Sequence, residues 1–239
     1  MEAGEYALMD EQEGSMWWYR ALHKRLIAAL RPVRGRVLDA GCGTGGFLRA
    51  AGQARPDLAL SGLEWDAAAA ARAIAKSGAA VARGSVNALP FASDTFDAAI
   101  SADVLCHAQV DPAATLGELY RILRPGGFVV VNMPAYDWLL SAHDHRVHNA
   151  RRMDAAQVRE MLQKAGFVRV RTRYWNSLLL PIMILERKIL NRGEEADSDV
   201  KAYPPLLNRA LLSVLDIEQA ALPALPFGGS VMATGERPA

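Results

Sequence analysis

Cysteine is scarce in this chain. Its 239 residues include two, Cys42 and Cys106, far apart and in no disulfide or metal-ligand spacing. A disulfide framework and a cysteine zinc site are thereby excluded, and a reducing, cytoplasmic setting is expected. Net charge is scarce too, at +1 from 27 Lys+Arg against 26 Asp+Glu. Without a basic field, nothing marks nucleic acid as a partner. Long apolar runs are missing. The most apolar stretch, SLLLPIMIL from Ser177 to Leu185, falls well short of the roughly 20 residues that a bilayer span needs. Pro181 interrupts it, and Glu186, Arg187 and Lys188 follow at once. No transmembrane segment is expected, although the stretch leaves room for peripheral contact with a membrane surface. The opening MEAGEYALMDEQEG is acidic and has no apolar signal-peptide core. Residues 1–15 are expected to be a mobile N-terminus.

What the chain does have is apolar content, 51% of its residues, which at this length suits one large domain with a full core. MWWYRALHKRLIAAL reads as an N-terminal helix over 16–31, with Trp18, Leu22, Leu26 and Ala29 at helical spacing. RVLDA is a short buried strand, followed by a glycine loop and the helix FLRAAGQA. LALSGLEW is a second strand, and DAAAAARAIAKSG a helix that stops at Gly78. AAVARG and FDAAIS follow as strands. Asp111-Pro112 opens a helix, RPGG closes it, and FVVVNM is the fifth strand. Asp154 and Gln157 form a capping pair for the next helix. FVRVRTRY is the sixth strand and GSVMATGE, within 229–236, the seventh.

Strands alternating with helices predict an α/β fold, a Rossmann-like three-layer sandwich on a mostly parallel seven-stranded sheet. The segment 175–226 is a helical insertion between strands six and seven, with helical patterns over 176–192 and 206–221 and the polar loop NRGEEADSDVKAYPP between them. Ligands of such sheets bind at the carboxyl ends of the strands. That rim collects the glycine loop, Glu64, the 84–87 turn, 101–107 and the 134–150 loop.

The glycine loop VLDAGCGTGG, Val37 to Gly46, fits two cofactor classes, a dinucleotide and S-adenosylmethionine. Glu64, at the end of the second strand, can accept ribose hydroxyls in either. Asp39 favours the second class, because a carboxylate two residues before the first glycine repels a pyrophosphate and attracts an ammonium. Two further pieces follow in order: GSVNALPFASDTFD, Gly84 to Asp97, and LRPGG, Leu123 to Gly127. With these the chain resembles the class I S-adenosylmethionine-dependent methyltransferases, in the branch with LPF…FD and LRPGG, over roughly Val37 to Tyr174.

That resemblance implies an antiparallel last strand, a methyl-transfer activity and a set of cofactor contacts within 36–174. Asp39, Gly41 and Gly43 would line the amino-acid end, with Cys42 and Thr44 between them. Glu64 would hold the ribose and Trp65 the adenine face. Ser85 stands where many relatives carry an acid for the adenine amino group, and Val86 would offer its N–H to the ring. Ala102 would face the reactive end, and His107 lies on the same rim. Arg20 would reach the cofactor carboxylate from the N-terminal helix.

The acceptor wall would be NMPAYDWLLSAHDHRVHNARR, Asn132 to Arg152, with a family-like HD…H…RR stretch. Three readings stay open there. His143, His145 and His148 could bind a metal, although no standard helix-face spacing results. His143 or His148 could act as a general base oriented by Asp144. Asp144 could pair with Arg151 or Arg152 and simply hold the loop. If the 175–226 insertion lines the pocket, the acceptor is a small molecule, apolar or lipid-like. The same insertion at a sheet edge could make a homodimer. The rival functions are an NAD(P)-dependent oxidoreductase and a catalytically inactive nucleotide-binding or interaction module of the same fold.

Overall fold

The computed structural model of the protein describes residues 3–187, 200–222 and 224–239. Seven strands form one sheet: β1 (Gly35–Ala40), β2 (Leu58–Glu64), β3 (Ala80–Arg83), β4 (Phe96–Ala102), β5 (Leu123–Pro134), β6 (Val168–Trp175) and β7 (Ser230–Glu236). Their order is β3-β2-β1-β4-β5-β7-β6. The first five run parallel, and β7 lies antiparallel between β5 and β6. The expected α/β sandwich with a reversed last strand is the observed fold.

Apolar runs in the strands fill both faces. On one face, Leu116 and Leu119 of α5 (Pro112–Ile122) and Val158 and Leu162 of α7 (Ala155–Lys164) pack with Phe96, Val129 and Phe167. On the other, Leu22 and Leu26 of α2 (Trp17–Ala29), Phe47 of α3 (Gly46–Ala54), and Leu212 and Leu215 of α9 (Pro205–Ala221) cover Val37, Ala98, Ile100 and Val130. The helix starts follow from side-chain oxygens placed to accept orphan N–H groups. Asp66 accepts from Ala69 N at the start of α4 (Ala67–Ser77), and Asp111 from Ala113 N and Ala114 N. Asp154 and Gln157 form a complete capping box on α7. Gly78 ends α4 at φ +71°, a left-handed turn that glycine adopts without penalty.

Three expectations come out differently. Where a mobile tail was expected, residues 3–12 form a helix, α1 (Ala3–Gln12), that lies on the glycine loop. LRPGG does not end the fifth helix as a separate turn but is the start of β5. Leu123 already pairs with Phe96, and Gly126 N and Gly127 O bond to Arg237 at the end of β7. The helical pattern over 176–192 yields α8 (Leu180–Leu185) among the described residues, and most of the loop 191–205 lies outside them. No helix of the described residues is long and apolar enough to cross a membrane.

The insertion is tied to the core by buried polar groups. Glu218 of α9 accepts from Ser177 N at 2.7 Å and Leu178 N at 2.9 Å, and lies 3.7 Å from the Arg25 guanidinium of α2. Arg25 stacks 4.7 Å over the Trp175 ring and donates to Leu215 O. These contacts set α9 and the end of β6 against α2, over the rim of the sheet.

Gly45 holds the glycine loop against α4. Its φ is +88°, and a Cβ there would stand 2.7 Å from the Ala73 Cα. A side chain would combine left-handed strain, about 1–2 kcal/mol, with overpacking against backbone, about 1–3 kcal/mol. Gly45→Ala is therefore expected to lower the unfolding free energy by about 2–5 kcal/mol, read from urea denaturation.

Candidate active site

The carboxyl ends of β1, β2, β4 and β5 open on one continuous cavity of about 830 Å³. Its floor holds Asp39, Gly41, Gly43 and Glu64, and Trp65, Ser85 and Val86 lie towards one side. Ala102, Asp103 and His107 stand at the β4 end. Its far wall comes from α2 and the insertion, with Trp17, Leu179, Met183, Leu207 and Leu211.

Asp39 is buried, and among the described residues no cation or donor pairs with its carboxylate. Burial, with Glu64 and Glu13 nearby, pushes its carboxyl up to about 8. Glu64 is also buried but well supplied. Its Oε2 accepts from Gly43 N at 2.9 Å, and its Oε1 from Asp66 N at 3.0 Å and the Tyr6 hydroxyl at 3.1 Å. A carboxylate offers about four lone-pair positions, so one stays open while Tyr6 is in place. Burial beside Glu64 pushes the Tyr6 phenol up.

Tyr6 belongs to α1, and α1 is fastened down along its length. A Cβ on Gly43 would stand 2.7 Å from Met9 Cε. Glu13 accepts from the Thr44 hydroxyl at 2.7 Å, and Lys76 of α4 pairs with both Asp10 and Glu13. Thr44 is thus fully buried beneath Glu13 and does not reach the cavity. Cys42 lines the cavity, and its thiol is pushed up by burial. Trp65 stands 69% exposed at the rim. The Ser85 hydroxyl accepts from Asn87 N and so stabilises the 84–87 turn.

Arg20 is misplaced by the sequence reading. Tyr19, Leu22, His23 and Leu26 of α2 face the cavity, which turns Arg20 outward to a surface groove with Lys24 and Asp216. The helix phase is set by burial of the aromatic and leucine stripe, and a guanidinium one residue off that stripe points to solvent.

The HD…H…RR stretch resolves into a lock. It contains the short helix α6 (Ala142–Arg146). Asp144, fully buried, accepts from Arg152 through both oxygens at 2.8 and 2.9 Å. Ser141, Asn149 and Arg187 take its remaining positions. Burial opposes ionisation of Asp144, but the Arg152 charge and hydrogen bonds outweigh it and hold the carboxyl below its usual range. Arg151 goes elsewhere, to the carbonyls of Leu105, His107 and Val110. His148 lines the cavity at φ +58°. His143 lies in α6, and its side chain falls outside the described residues. His107 lines the cavity with an unpartnered Nδ1, and burial pulls its imidazole down to about 4, so it is neutral at pH 7.

Sequence reasoning passed over Asp103. It follows Ala102 at the end of β4, has φ +54°, and accepts from Asn132 Nδ2 at 3.0 and 3.1 Å. Asn132 Oδ1 in turn accepts from the Trp175 indole at 2.8 Å. The signal that singled out Asp39 and Glu64, an acid at a strand's carboxyl end, applies equally to Asp103.

A mostly parallel sheet with a glycine loop after β1 and acids at the rim defines a Rossmann-like fold whose rim suits a positively charged ligand. A methyltransferase-domain family model matches residues 17–172. A protein of Mycolicibacterium smegmatis, described as a probable S-adenosylmethionine-dependent methyltransferase, is 31% identical over 69% of this chain and 64% of its own length. The rice 24-methylenesterol C-methyltransferase 2 is 29% identical over 56% of this chain and 40% of its own. The structure of Haemonchus contortus phosphoethanolamine N-methyltransferase 2 with S-adenosyl-L-methionine superposes with a TM-score of 0.62 at 18% identity, covering 91% of this chain and 52% of that one. The chain thus spans less than two thirds of each of these three proteins. It belongs to the methyltransferase-domain family, in class I of the S-adenosylmethionine-dependent methyltransferases.

S-adenosylmethionine, the cofactor of that class, fits the residues present. Its ammonium matches Asp39, a buried carboxylate with no partner among the described residues, and its ribose hydroxyls match Glu64. The sign of the Asp39 effect can be worked out. The group is neutral at pH 7 because its carboxyl sits near 8. A cation beside it lowers that value, so binding at pH 7 expels a proton. Cofactor binding is expected to release up to one proton at pH 7, read from the dependence of the calorimetric enthalpy on buffer, and the Asp39→Asn variant should show less release and weaker binding. Two ribose hydroxyls need two acceptor positions on Glu64, which brings them into competition with the Tyr6 hydroxyl. Tyr6→Phe, which removes one hydrogen bond of about 1 kcal/mol, is expected to tighten S-adenosylhomocysteine binding several-fold in the same calorimeter.

Proposed function

We propose that this chain transfers the methyl group of S-adenosylmethionine to a small organic acceptor with a substantial apolar part. The observation that carries the reading is the continuity of the cavity. It runs from Asp39 and Glu64, to which this reading assigns the cofactor, to Leu179, Met183, Leu207 and Leu211 of the insertion. A purely polar acceptor would leave that far wall poorly covered, and apolar contact there is worth about 25 cal/mol per Å². The relatives' names agree in kind, since a sterol and phosphoethanolamine are small molecules.

In this reading the chain is one methyltransferase domain, with a cofactor core at 36–174 and an acceptor cap at 175–226. Bound S-adenosylmethionine supplies a methyl group on a cationic sulfur, already an excellent leaving group. The protein's contribution is placement and exclusion of water. Asp39 holds the ammonium and Glu64 the ribose. Gly41 and Gly43 let the backbone come close, and Trp65, Ser85 and Val86 border the adenine. Ala102 leaves room at the methyl end. The ion pair of Asp144 with Arg152 fixes the 137–152 segment over the site, with His148 on its cavity side.

Calorimetry with S-adenosylmethionine, S-adenosylhomocysteine and NAD on ligand-free protein tests the reading. Micromolar binding of the first two and none of NAD is expected, with a loss of at least tenfold in Glu64→Ala. Binding of NAD alone would make the chain an oxidoreductase-type protein, and unaltered affinity in Glu64→Ala would remove the ribose assignment.

A further inference from the structure

The geometry points to Asp103 as the group that takes a proton from the acceptor, and to an apolar amine as the acceptor it serves. This rests on the methyl-transfer reading above and adds a catalytic residue and a substrate class to it.

Asp103 is built in rather than incidental. It adopts a left-handed backbone at φ +54°, a conformation that residues other than glycine, asparagine and aspartate rarely take. That turn lets its side chain meet Asn132 across the ends of β4 and β5. Asn132 cannot swing, because its Oδ1 is held by the Trp175 indole and its backbone oxygen accepts from Asp103 N at 3.0 Å. Trp175 is fixed in turn by Arg25 on one side and a stacked Trp18 on another. The result is a carboxylate positioned by two supporting side chains, on the wall of the cavity next to Ala102.

The cavity that Asp103 lines holds further polar side chains with unmet hydrogen-bonding capacity. Asn176 lines the same cavity, is 3% exposed and has an unpartnered Oδ1. His107 adds an unpartnered Nδ1 on a neutral ring. The charged and titratable groups that face Asp103 are Tyr19 from α2, Cys106 on its own loop, and Asp144 and Arg152 from the 137–152 segment. Arg152 spends its charge on Asp144. Burial pushes the Asp103 carboxyl up to about 7, against the pull of Asn132 and Arg152. That is where a general base works best at neutral pH.

The chemistry then balances. An ammonium group entering from the cap gives one proton to Asp103 Oδ, which frees the nitrogen lone pair. A nitrogen–carbon bond forms as the carbon–sulfur bond breaks, and the sulfur keeps the electron pair. The product leaves as the methylated ammonium, and Asp103 returns its proton to solvent. An alcohol holds its proton far too tightly for a carboxylate to remove, and a carboxylic acid would be repelled. The apolar part of the amine lies against Leu179, Met183, Leu207 and Leu211.

The test compares n-octylamine, n-octanol and octanoate binding to the full chain saturated with S-adenosylhomocysteine. Calorimetry at pH 6, 7 and 8 is followed by methyl transfer from labelled S-adenosylmethionine. Octylamine should bind at least tenfold more tightly than the other two. Its affinity should rise from pH 6 to 8, because Asp103 ionises in that range while the amine, with a pKa near 10, stays charged. Asp103→Asn keeps the shape and tolerates the left-handed backbone. It should leave the melting temperature and S-adenosylhomocysteine affinity unchanged within about twofold while losing at least tenfold in octylamine affinity, the pH slope and transfer. Equal or better binding of octanol or octanoate, no binding of any of the three, or an unchanged pH slope in Asp103→Asn would overturn the inference. Failure of S-adenosylhomocysteine itself to bind would overturn the methyl-transfer reading beneath it, a different and recognisable result.

Discussion

The hydrogen bond from the Trp175 indole to Asn132 is the hinge on which the arrangement turns. It joins the end of β6 to the end of β5 inside the protein, where no water competes for either partner. Through Asn132 it fixes Asp103 on the loop after β4. Through the Trp175 ring it receives Arg25 of α2, and Arg25 lies beside Glu218 of the insertion. One buried network therefore runs from the helical insertion to the β4 end of the cavity. Such a network is worth more than its separate bonds only while every member is present. Here that makes the cap and the cofactor core a single mechanical unit.

Electrostatics sets the character of the cavity. Asp39, Glu64 and Asp103 all stand at carboxyl ends of strands, where the sheet stops and a ligand begins. Lys76, beside the glycine loop, is committed to Asp10 and Glu13, and Arg152 to Asp144. Among the described residues, a ligand that brings its own positive charge finds the cavity's arginines, Arg152 and Arg187, already paired with Asp144. The same distribution disfavours a pyrophosphate on the glycine loop, although the loop's spacing alone would allow one.

Much of this was legible in the sequence. Apolar strand runs bounded by glycine, the helix starts at Asp111 and Asp154 and the stop at Gly78 are local signals, and from them the sheet and most of its helices could be read. Asp39, Gly41, Gly43, Glu64, Ser85, Val86 and Ala102 all line the cavity, because strand ends in a parallel sheet share one rim. Arg20 was lost because MWWYRALHKRL is rich in large side chains on several faces, and the face that meets the sheet is decided by packing. Helix α1 was invisible because it has no apolar stripe. It is held by partners far away in sequence: Tyr6 on Glu64, Met9 on Gly43, Glu13 on Thr44. The fate of Asp144 was one of several open readings, and only the position of Arg152 decides it.

The insertion leaves the sheet at Trp175 and returns at Ser230, and those two residues face each other across the β6–β7 ladder. Its two ends are therefore one strand spacing apart, about 5 Å. A segment that starts and finishes at the same place can lengthen, shorten or change sequence without moving the strands that carry it, and its closure cost grows only with the logarithm of its length. In the proposed reading, donor recognition belongs to the sheet and its glycine loop, whereas much of acceptor recognition belongs to this inserted segment. On that reading the fold separates a fixed reagent from an exchangeable customer: new acceptors can be tried by redrafting the parts of 175–226 outside the Trp175 and Glu218 anchors, while the donor half stays as it is.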